Sequence, residues 1–295
     1  MILAIASGKG GTGKTTVSAS LASVWPGPAL AVDLDVEEPN LHLFLHPEIA
    51  GAEKAYMEVP LADESKCTAC GACSEICQFK AISLLGDVLI TFPEMCHGCG
   101  ACLEVCPAGA LTPDRRELGE VSWGQAGKIG FLMGKLRVGE AMSPPLMRSV
   151  RGKMAQMQAQ SGADVIVDCP PGVSCPAVNA VMGSDMILLV TEPTPFGLYD
   201  FRLAHQAFAP MNKPMAAVIN RAGLGDDGVR QYCRRHNLPI LAEIPFDRQV
   251  AQAYSQGQVV AQASPAMKVA FEDLAAQIRC LASGDAEAEK EAHHA

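Results

Sequence analysis

Short apolar segments that end in polar residues or glycine recur along most of the chain. The first, residues 1–6, leads into a glycine-rich stretch and then into a helical pattern over 17–22. Further apolar segments of strand length lie at 29–35, 164–168, 185–191, 215–221 and 240–247. Apolar segments without polar alternation are typical of parallel strands that are buried on both faces. The pattern therefore predicts an α/β fold with a mostly parallel, doubly wound sheet.

Apolar residues at helical spacing predict helices between these strands. The clearest case is 145–161, where the leucine, valine and methionine positions form a stripe that we interpret as core. Helices are also predicted over 197–208, 249–256 and 265–281. The segments 128–132 and 135–139, separated by glycine, predict a short hairpin.

The block from 62 to 115 does not follow this alternation. It contains two cysteine-rich runs with the same spacing, C-x2-C-x2-C-x3-C, at 67–77 and 96–106. Each run is followed by a short apolar segment, so the block is an internal repeat. We predict an inserted α+β domain over 62–115, which leaves 1–61 and 116–283 as the α/β domain. The acidic, alanine-rich tail over 284–295 is predicted to be disordered.

The glycine-rich stretch after the first strand predicts a phosphate-binding loop. Gly8, Gly13, Lys14 and Thr15 match the G-x4-G-K-[ST] pattern in its required strand–loop–helix context. Glycines let backbone N–H groups close around phosphate oxygens, and the helix N-terminus adds positive potential. We expect Lys14 to reach the β- and γ-phosphates and the Thr15 hydroxyl to bind Mg²⁺. The predicted nucleotide-binding residues of the loop are Gly8, Lys9, Gly10, Gly11, Thr12, Gly13, Lys14, Thr15 and Thr16.

Eight of the twelve cysteines have the spacing of the bacterial ferredoxin run, in which the fourth thiolate of each run binds the other cluster. We therefore predict two [4Fe–4S] clusters. The first takes Cys67, Cys70, Cys73 and Cys106, and the second takes Cys77, Cys96, Cys99 and Cys102.

Two details of these runs bear on that prediction. Pro107 follows Cys106 as the pattern requires, but Gln78 follows Cys77. The alternative is a pair of zinc sites, which fits less well because zinc sites use paired C-x2-C ligands. His97 lies between two cysteines and is interpreted as a surface residue rather than a ligand.

The loop also contains a second lysine, Lys9, and reads Gly-Lys-Gly-Gly-Thr-Gly-Lys-Thr-Thr. It resembles the deviant phosphate loop of the MinD, Mrp and nitrogenase-iron-protein class (SIMIBI) of P-loop ATPases. The resemblance implies a dimer that closes on ATP, either a homodimer or a heterodimer with a paralogue, in which Lys9 reaches the partner's nucleotide. Residues 33–40 resemble switch I of this class, and 168–172 resemble switch II.

The same resemblance implies roles for single residues. Asp33 and Asp168 would join Thr15 in holding Mg²⁺, and Asp35 would orient the attacking water. The implied catalytic residues are Lys9, Lys14 and Asp35. Asn220 would read the adenine edge, and the other implied nucleotide contacts at the base end are Arg221, Pro245 and Asp247.

Two cysteines near switch II leave alternatives open. Cys169 and Cys175 could ligate a cluster between subunits, as cysteines near the switches do in the nitrogenase iron protein. The favoured interpretation is that both are small buried residues.

Charge and hydropathy restrict the remaining possibilities. The net charge of −9 argues against a general nucleic-acid binder. No apolar run reaches the roughly 18 residues of a membrane span, and the N-terminus lacks a signal-peptide pattern, so a cytoplasmic protein is expected. The segment 271–281 of the last predicted helix carries only Arg279 against Glu272 and Asp273, and the tail after it is acidic, which predicts no membrane anchor of the basic amphipathic kind.

These features predict an ATPase that couples its nucleotide state to electron transfer through two clusters, toward a redox partner protein or a metal-cofactor assembly. One alternative is a carrier or scaffold for metal clusters, which Mrp-type relatives perform with a late C-x-x-C pair. Here only the isolated Cys233 and Cys280 lie late in the chain. A second alternative is a ParA-like or MinD-like spatial organiser with a redox-sensing insert.

Overall fold

The structure is a computed structural model that describes residues 1–283; the predicted disordered tail, 284–295, lies outside the described residues. The strands are β1 (Ile2–Ala6), β2 (Ala29–Asp33), β3 (Glu48–Ala62), β4 (Ile82–Leu85), β5 (Val88–Thr91), β6 (Leu111–Ala126), β7 (Ile129–Leu136), β8 (Asp164–Asp168), β9 (Met186–Thr191), β10 (Met215–Ala222) and β11 (Ile240–Pro245). The helices are α1 (Lys14–Val24), α2 (His42–Leu45), α3 (Ala72–Ile76), α4 (Ala101–Glu104), α5 (Ser143–Ser161), α6 (Cys175–Met182), α7 (Pro195–Phe208), α8 (Gly228–Arg235), α9 (Arg248–Ser255) and α10 (Pro265–Ser283).

The main sheet has nine strands in the order β11-β10-β9-β1-β8-β2-β7-β6-β3. Its first seven strands are parallel to one another. Six of them, all except β7, were predicted from the continuous apolar segments. β6 and β3 are added to this sheet as antiparallel strands. The fold is therefore α/β with a large, mostly parallel sheet.

Helices cover both faces of the sheet because successive side chains of each strand point to opposite sides. On β1, Ala4 and Ala6 pack with residues of α5, α6, α7 and α8. Leu3 and Ile5 pack on the other face with residues of α1 and α10. The carboxyl ends of the parallel strands meet at one edge, which is where doubly wound folds bind ligands.

A long two-stranded ribbon leaves this edge of the sheet. β3 pairs with β6 along its whole length, but β6 pairs with β7 only from Gly119 to Ala126. The remaining part of the ribbon extends beyond the carboxyl end of β7. The predicted hairpin over 128–139 was wrong: β7 is one continuous strand, because its residues pair with β2 on one side and β6 on the other.

Residues 63–110 lie at the far end of the ribbon; we call them the cysteine unit. The unit contains α3, α4 and a two-stranded sheet of β4 and β5. Ile82, Leu89 and Leu111 form a small core with Cys73. Cys96 belongs instead to the buried cluster of the main domain, which also includes Met57 on β3. The unit is therefore packed against the ribbon as well as tethered by it.

The helices within residues 1–283 include none with the length and hydropathy needed to cross a membrane.

Two glycines next to the α5–sheet contact predict opposite effects on stability. A Cβ at Gly134 on β7 would lie 2.6 Å from the Val150 side chain and 2.8 Å from that of Val36. Gly134→Ala should therefore lower the free energy of unfolding by roughly 1–3 kcal/mol. Gly152 is exposed within α5 with open space at its Cβ. Gly152→Ala should raise that free energy by about 0.5–1 kcal/mol, since it removes a flexible residue from a helix.

Urea unfolding of the two variants beside the parent protein checks this pair. A Gly134→Ala variant as stable as the parent would contradict the close packing of β7 against α5.

Candidate functional site

The loop between β1 and α1 has the geometry of an anion cradle. Gly11 and Gly13 take left-handed backbone angles, with φ of 78° and 90°, and the Cβ position of Gly11 faces open space. α1 begins at Lys14 with no side-chain cap on its first N–H groups. The buried Thr12 hydroxyl has no hydrogen-bond partner within the described residues. Uncapped N–H groups and an unpartnered hydroxyl in one loop fit an oxyanion ligand such as a phosphate.

Gly8 fixes the start of the loop against α7. A Cβ at this position would lie 2.0 Å from the backbone oxygen of Asp200. Only glycine allows the loop to approach the α7 backbone so closely.

Three side chains from the loop and α1 converge on one buried carboxylate, that of Asp168 at the end of β8. Lys14 Nζ lies 3.2 Å from Asp168 Oδ1, and the Thr15 hydroxyl donates to Oδ2 at 2.7 Å. The Ser18 hydroxyl donates to Oδ1 at 2.9 Å. The structure thus brings together Lys14, Thr15 and Asp168, which the sequence assigned to phosphate and Mg²⁺ binding.

Asp33 and Asp35 follow β2 on the neighbouring part of the same edge. Both Asp33 oxygens accept backbone N–H groups of their own loop, from Asp35 at 3.0 Å and Leu41 at 2.9 Å. Burial, followed by the charge of Asp168, raises the pKa of Asp33 well above its ordinary value. Burial also raises the pKa of Asp35 to about 6, despite the opposing charge of Lys14.

One lysine therefore faces several acids. Burial on its own would lower the pKa of Lys14, but the charges of Asp168 and Asp35 raise it overall. Burial is the main cause of the raised pKa values of Asp33 and Asp35, and the neighbouring Asp168 carboxylate adds to it. A divalent cation fits such a donor set because its ligands are hard oxygens.

Lys9 points to a different acid. Its Nζ lies 2.7 Å from Glu192 Oε1, and the other oxygen of the same carboxylate lies 3.0 Å from Arg221 Nη1. Glu192 follows β9, the strand next to β1 in the sheet. One carboxylate thus holds two cations that line the same cavity.

That cavity has a volume of about 570 Å³ and extends from the loop to the end of β11. Pro245 and Asp247 lie in its wall, with Phe246 and Tyr254 beside them. Asn220 also contributes, but its amide donates to the Thr12 carbonyl at 2.8 Å and packs under Gly13. In this structure Asn220 therefore holds the phosphate loop in place. The sequence-based prediction gave Asn220 only a contact with the base and did not include this role.

Sequence reasoning missed two residues of this site. Ser18 lies one helical turn after Lys14, and its i+4 spacing was a usable signal. Glu192 had no such signal, because its partners Lys9 and Arg221 are distant in the chain.

The eight clustered cysteines line two separate cavities in the cysteine unit. One cavity is lined by Cys67, Cys70, Cys73 and Cys106. The other is lined by Cys77, Cys96, Cys99 and Cys102. Each cavity thus combines three cysteines of one run with the last cysteine of the other.

The two runs also share a backbone shape that their sequences do not share. Left-handed φ angles occur at Gly98 and Gly109 in the second run, and at the equivalent Ala69 and Lys80 in the first. Non-glycine residues adopt this conformation at an energetic cost. The loop shape is therefore maintained even where glycine is absent.

Backbone N–H groups turn toward the sulfurs at matching positions. Ala81 donates to Cys77 Sγ and Ala110 to Cys106 Sγ, both at 3.3 Å. The Ala110 contact lowers the pKa of the Cys106 thiol, whereas burial raises the pKa of Cys73. Burial likewise raises the pKa of Cys102. N–H donors aimed at sulfur fit a thiolate-bound cluster, whose potential such contacts tune.

Among residues 1–283, no three Cys, His, Asp or Glu side chains lie close enough together to hold a single metal ion. Zinc gathers its thiolates about 2.3 Å from one point, whereas a cubane cluster spreads four thiolates around a cavity. His97 is exposed and stacks on Phe79, with ring centroids 3.5 Å apart.

The cysteines near the predicted switch II differ from each other. Cys169 is fully buried, and burial raises its thiol pKa to about 12. Cys175 is exposed at the start of α6, so the interpretation that both are buried was wrong for Cys175. Pro176 follows it in the first turn of α6, where a proline is tolerated because its missing N–H would have no partner within the helix.

Comparison with known proteins agrees with the geometry of the loop and sheet. The model of the CobQ/CobB/MinD/ParA nucleotide binding domain family matches residues 3–260. The Methanocaldococcus jannaschii protein MJ0578 is 33% identical over 255 residues, which cover 84% of this chain and 85% of that protein.

Solved structures of similar fold include two archaeal proteins. The cell division ATPase MinD of Pyrococcus furiosus has a TM-score of 0.56 at 22% identity, covering 95% of this chain and 98% of its own. The septum site-determining protein MinD of Pyrococcus horikoshii, solved with Mg-ADP, has a TM-score of 0.57 at 21% identity, with coverage of 95% and 96%. At this identity the likeness establishes the fold.

The contact between Gly8 and the Asp200 backbone predicts a sharp difference between neighbouring glycines. Gly8→Ala should lower the free energy of unfolding of the nucleotide-free protein by roughly 1–3 kcal/mol, because backbone atoms must move. Gly10 has open space at its Cβ, so Gly10→Ala should change this free energy by less than about 0.5 kcal/mol. Urea unfolding measures both, and equal stabilities would contradict the close approach of the loop to α7.

Proposed function

The chain belongs to the CobQ/CobB/MinD/ParA nucleotide-binding family, and we propose that it is an ATPase whose nucleotide state controls electron transfer through two [4Fe–4S] clusters. The electrons pass to a partner protein or to a metal-cofactor assembly. The observation that carries this proposal is the ribbon of β3 and β6, which joins the cysteine unit to the sheet edge that bears the phosphate loop.

In this proposal the loop binds the phosphates of Mg-ATP. The P. horikoshii relative was solved with the related ligand Mg-ADP. Lys14 neutralises charge on the β- and γ-phosphates, and Thr15 with Asp168 holds the ion, which supplies further charge neutralisation at the phosphates. Asp33 keeps its loop in place through the two backbone contacts. Asp35, with a pKa of about 6, remains able to orient a water molecule and accept its proton near neutral pH.

The base end of the cavity accommodates the nucleoside. Pro245, Phe246 and Asp247 offer a wall of mixed apolar and polar character opposite the loop. Arg221 lies between the two ends, beside Asn220. A purine ring stacks well on such a wall because its faces are apolar and its edge is polar.

The eight cysteines of the unit hold the clusters, four thiolates to each, with the grouping of the two cavities. A bound [4Fe–4S] cluster takes up and releases one electron at a time. The chain supplies thiolates, N–H donors such as that of Ala110, and partial exclusion of water. Cys70 and Cys99 are exposed, so one side of each cluster is within reach of a redox partner.

The active form in this proposal is an ATP-dependent dimer, in which Lys9 contacts the nucleotide of the other subunit. Lys9 is 30% exposed at the mouth of the cavity. Phe196 and Tyr199 are exposed on α7, the helix that begins three residues after Glu192, and offer apolar area for subunit contact.

A continuous set of contacts supports coupling between the two sites. The loop after β2 contains Asp35 and continues to Val36, whose carbonyl accepts the Leu136 N–H at 2.9 Å. The next residue, Arg137, donates to the Leu118 carbonyl at 2.9 Å. A displacement of the loop after β2 would therefore displace β6 at the start of the ribbon.

The contacts continue to a cluster ligand. Arg116 on β6 is buried; it donates to the carbonyl of Pro93 and pairs with the buried Glu140 at 3.2 Å. The same Pro93 carbonyl accepts the N–H of Cys96 at 3.1 Å. Two hydrogen bonds to one oxygen thus connect the guanidinium to a ligand of the second cluster. Such contiguous contacts are a physical route for coupling, and coupling itself requires measurement.

The spatial-organiser alternative shares the ATPase and differs in its partner. It predicts ATP-dependent binding to DNA or lipid, which the net charge of −9 disfavours. The carrier alternative predicts transfer of iron to an acceptor. Cys233 is buried, and Cys233 and Cys280 are far apart in the sequence and form no C-x-x-C pair of the kind used for a shared cluster.

The grouping of cysteines predicts the iron content of variants. Anaerobically reconstituted parent protein should bind about eight irons per chain, since each cluster holds four. Cys106→Ser and Cys77→Ser should each lose about four irons, because each removes one ligand of a different cluster. Cys280→Ser is the control and should keep all eight.

Iron analysis with electron paramagnetic resonance distinguishes the two losses. Iron that remains after replacement of all eight cysteines of the unit would contradict the assignment and indicate a cluster at Cys169 or Cys175.

The coupling predicts that nucleotide changes the clusters. The reduction potential of at least one cluster should differ between ADP and a non-hydrolysable ATP analogue, and Arg116→Lys should reduce this difference. A lysine cannot contact Pro93 and Glu140 with the planar fork that arginine offers. Glu117→Gln removes an exposed ion pair with Lys54 on the same ribbon and serves as the matched control.

Redox titrations monitored by electron paramagnetic resonance measure these potentials. Equal potentials with ADP and analogue in the parent protein would refute nucleotide control. A nucleotide-dependent difference that survives in Arg116→Lys would refute the route through Arg116 alone.

A further inference from the structure

The contact between Lys9 and Glu192 raises a question that the proposed function leaves open. In this structure the Lys9 ammonium is paired within its own chain, 2.7 Å from Glu192 Oε1. Contact with a phosphate of the partner subunit requires the same ammonium. If Lys9 contacted both anions, the carboxylate would lie within roughly 6 Å of the phosphate, where like charges repel. The two contacts therefore compete.

Glu192 is the fixed member of this pair. Its side chain is 13% exposed, against 30% for Lys9 and 48% for Arg221. Its carbonyl accepts the N–H of Thr194 at 2.8 Å. Gly197 in the first turn of α7 packs directly on it, since a Cβ there would lie 2.2 Å from the Glu192 carbonyl oxygen. The backbone of Glu192 and its Cγ, which would lie 2.9 Å from the same Cβ, are thus held by the fold, and the more exposed cations are the parts that can leave.

The second cation, Arg221, connects the Glu192–Lys9 ion pair to the wall of the cavity. Arg221 Nη1 lies 3.0 Å from Glu192 Oε2, and Arg221 adopts a left-handed φ of 54° directly after Asn220. Asn220 in turn holds the Thr12 carbonyl of the loop. Glu192 therefore joins the ends of β9 and β10 to the loop that follows β1, around the mouth of one cavity.

We propose that Glu192 is a positioning residue that restrains Lys9 within its own subunit, and that closure of a nucleotide-bound dimer requires its release. The ligand that displaces it is a nucleoside triphosphate carried by a second copy of this chain. The inference rests on the proposed ATP-dependent dimer and adds the Glu192–Lys9 ion pair as the contact that opposes dimer closure. The restraint keeps the nucleotide-free protein from associating through Lys9.

The test compares dimerisation of the parent protein and Glu192→Gln. Glutamine keeps the shape and loses the charge, so the restraint weakens without a loss of packing. Sedimentation velocity over a titration with a non-hydrolysable ATP analogue should show Glu192→Gln dimerising at a roughly threefold to tenfold lower analogue concentration, the range expected for one charge-assisted hydrogen bond. Glu243→Gln, which removes a carboxylate paired with Arg230 outside the cavity, should match the parent.

A second measurement isolates Lys9 from Arg221. The gain from Glu192→Gln should persist in an Arg221→Ala background, since the restraint acts through Lys9. In addition, acylation of Lys9 in the nucleotide-free monomer, followed by mass spectrometry, should be several-fold faster in Glu192→Gln because its amine is no longer paired. This readout does not depend on dimer formation.

The outcomes separate the two levels of the proposal. If the parent dimerises with the analogue and Glu192→Gln needs the same concentration, Glu192 does not restrain Lys9 and the inference is wrong, while the proposed dimer stands. If the parent stays monomeric at saturating analogue, the proposed dimer fails and the inference falls with it. If the gain disappears in the Arg221→Ala background, the restraint acts through Arg221, which also overturns the inference.

Discussion

The buried carboxylate of Asp168 organises the centre of this molecule. It lies at the end of β8 and accepts contacts from Lys14, Thr15 and Ser18, which all belong to the loop and helix after β1. Its backbone carbonyl accepts the N–H of Leu34, which leads into the loop after β2. One residue therefore ties three neighbouring strand ends together. Because an unpaired buried carboxylate is costly, this arrangement fixes the geometry of the surrounding loops.

Charge is the second constraint on this edge of the sheet. Asp33, Asp35 and Asp168 lie near one buried cation, Lys14, so acids outnumber cations at this point. Burial, together with the charge of Asp168, raises the pKa values of Asp33 and Asp35. At the mouth of the cavity the balance is reversed, since Glu192 holds both Lys9 and Arg221. The divalent cation of a Mg-nucleotide would compensate the acids near Lys14, and its phosphates would compensate the cations at the cavity mouth. The proposed Mg-nucleotide therefore complements both parts of the site.

The cysteine unit depends on the same edge through the ribbon. β6 is anchored to β7 by part of its length and extends freely with β3 for the rest. At the joint, the buried pair of Arg116 and Glu140 meets the carbonyl that also orients Cys96. Removing one partner of a buried ion pair is strongly destabilising, so this joint depends on both Arg116 and Glu140. Contiguous contacts of this kind offer a route by which a displacement of the sheet edge reaches Cys96, a proposed cluster ligand.

The sequence by itself determined the elements whose signals are local. Continuous apolar segments identify the parallel strands, because burial on both faces removes polar alternation. The loop from Gly8 to Thr15 and the two cysteine runs are recognisable because their chemistry requires fixed spacing. The nucleotide-binding family model, which matches residues 3–260, agrees with the prediction of the loop. Interpretation of 128–139 as a hairpin failed because glycines within a strand resemble turn glycines until the neighbouring strands are known.

Only the tertiary structure decided what depends on residues distant in the chain. It brings Glu192 to Lys9 and Arg221, directs Asn220 to the loop, and aligns Arg116 with Pro93 and Glu140. It also exposes Cys175 while burying Cys169, although they lie six residues apart. Such contacts leave no periodic pattern in the sequence, because they do not depend on the spacing of residues along the chain. They depend instead on the order of the strands and on the close approach of backbones, as at Gly8 and Gly197.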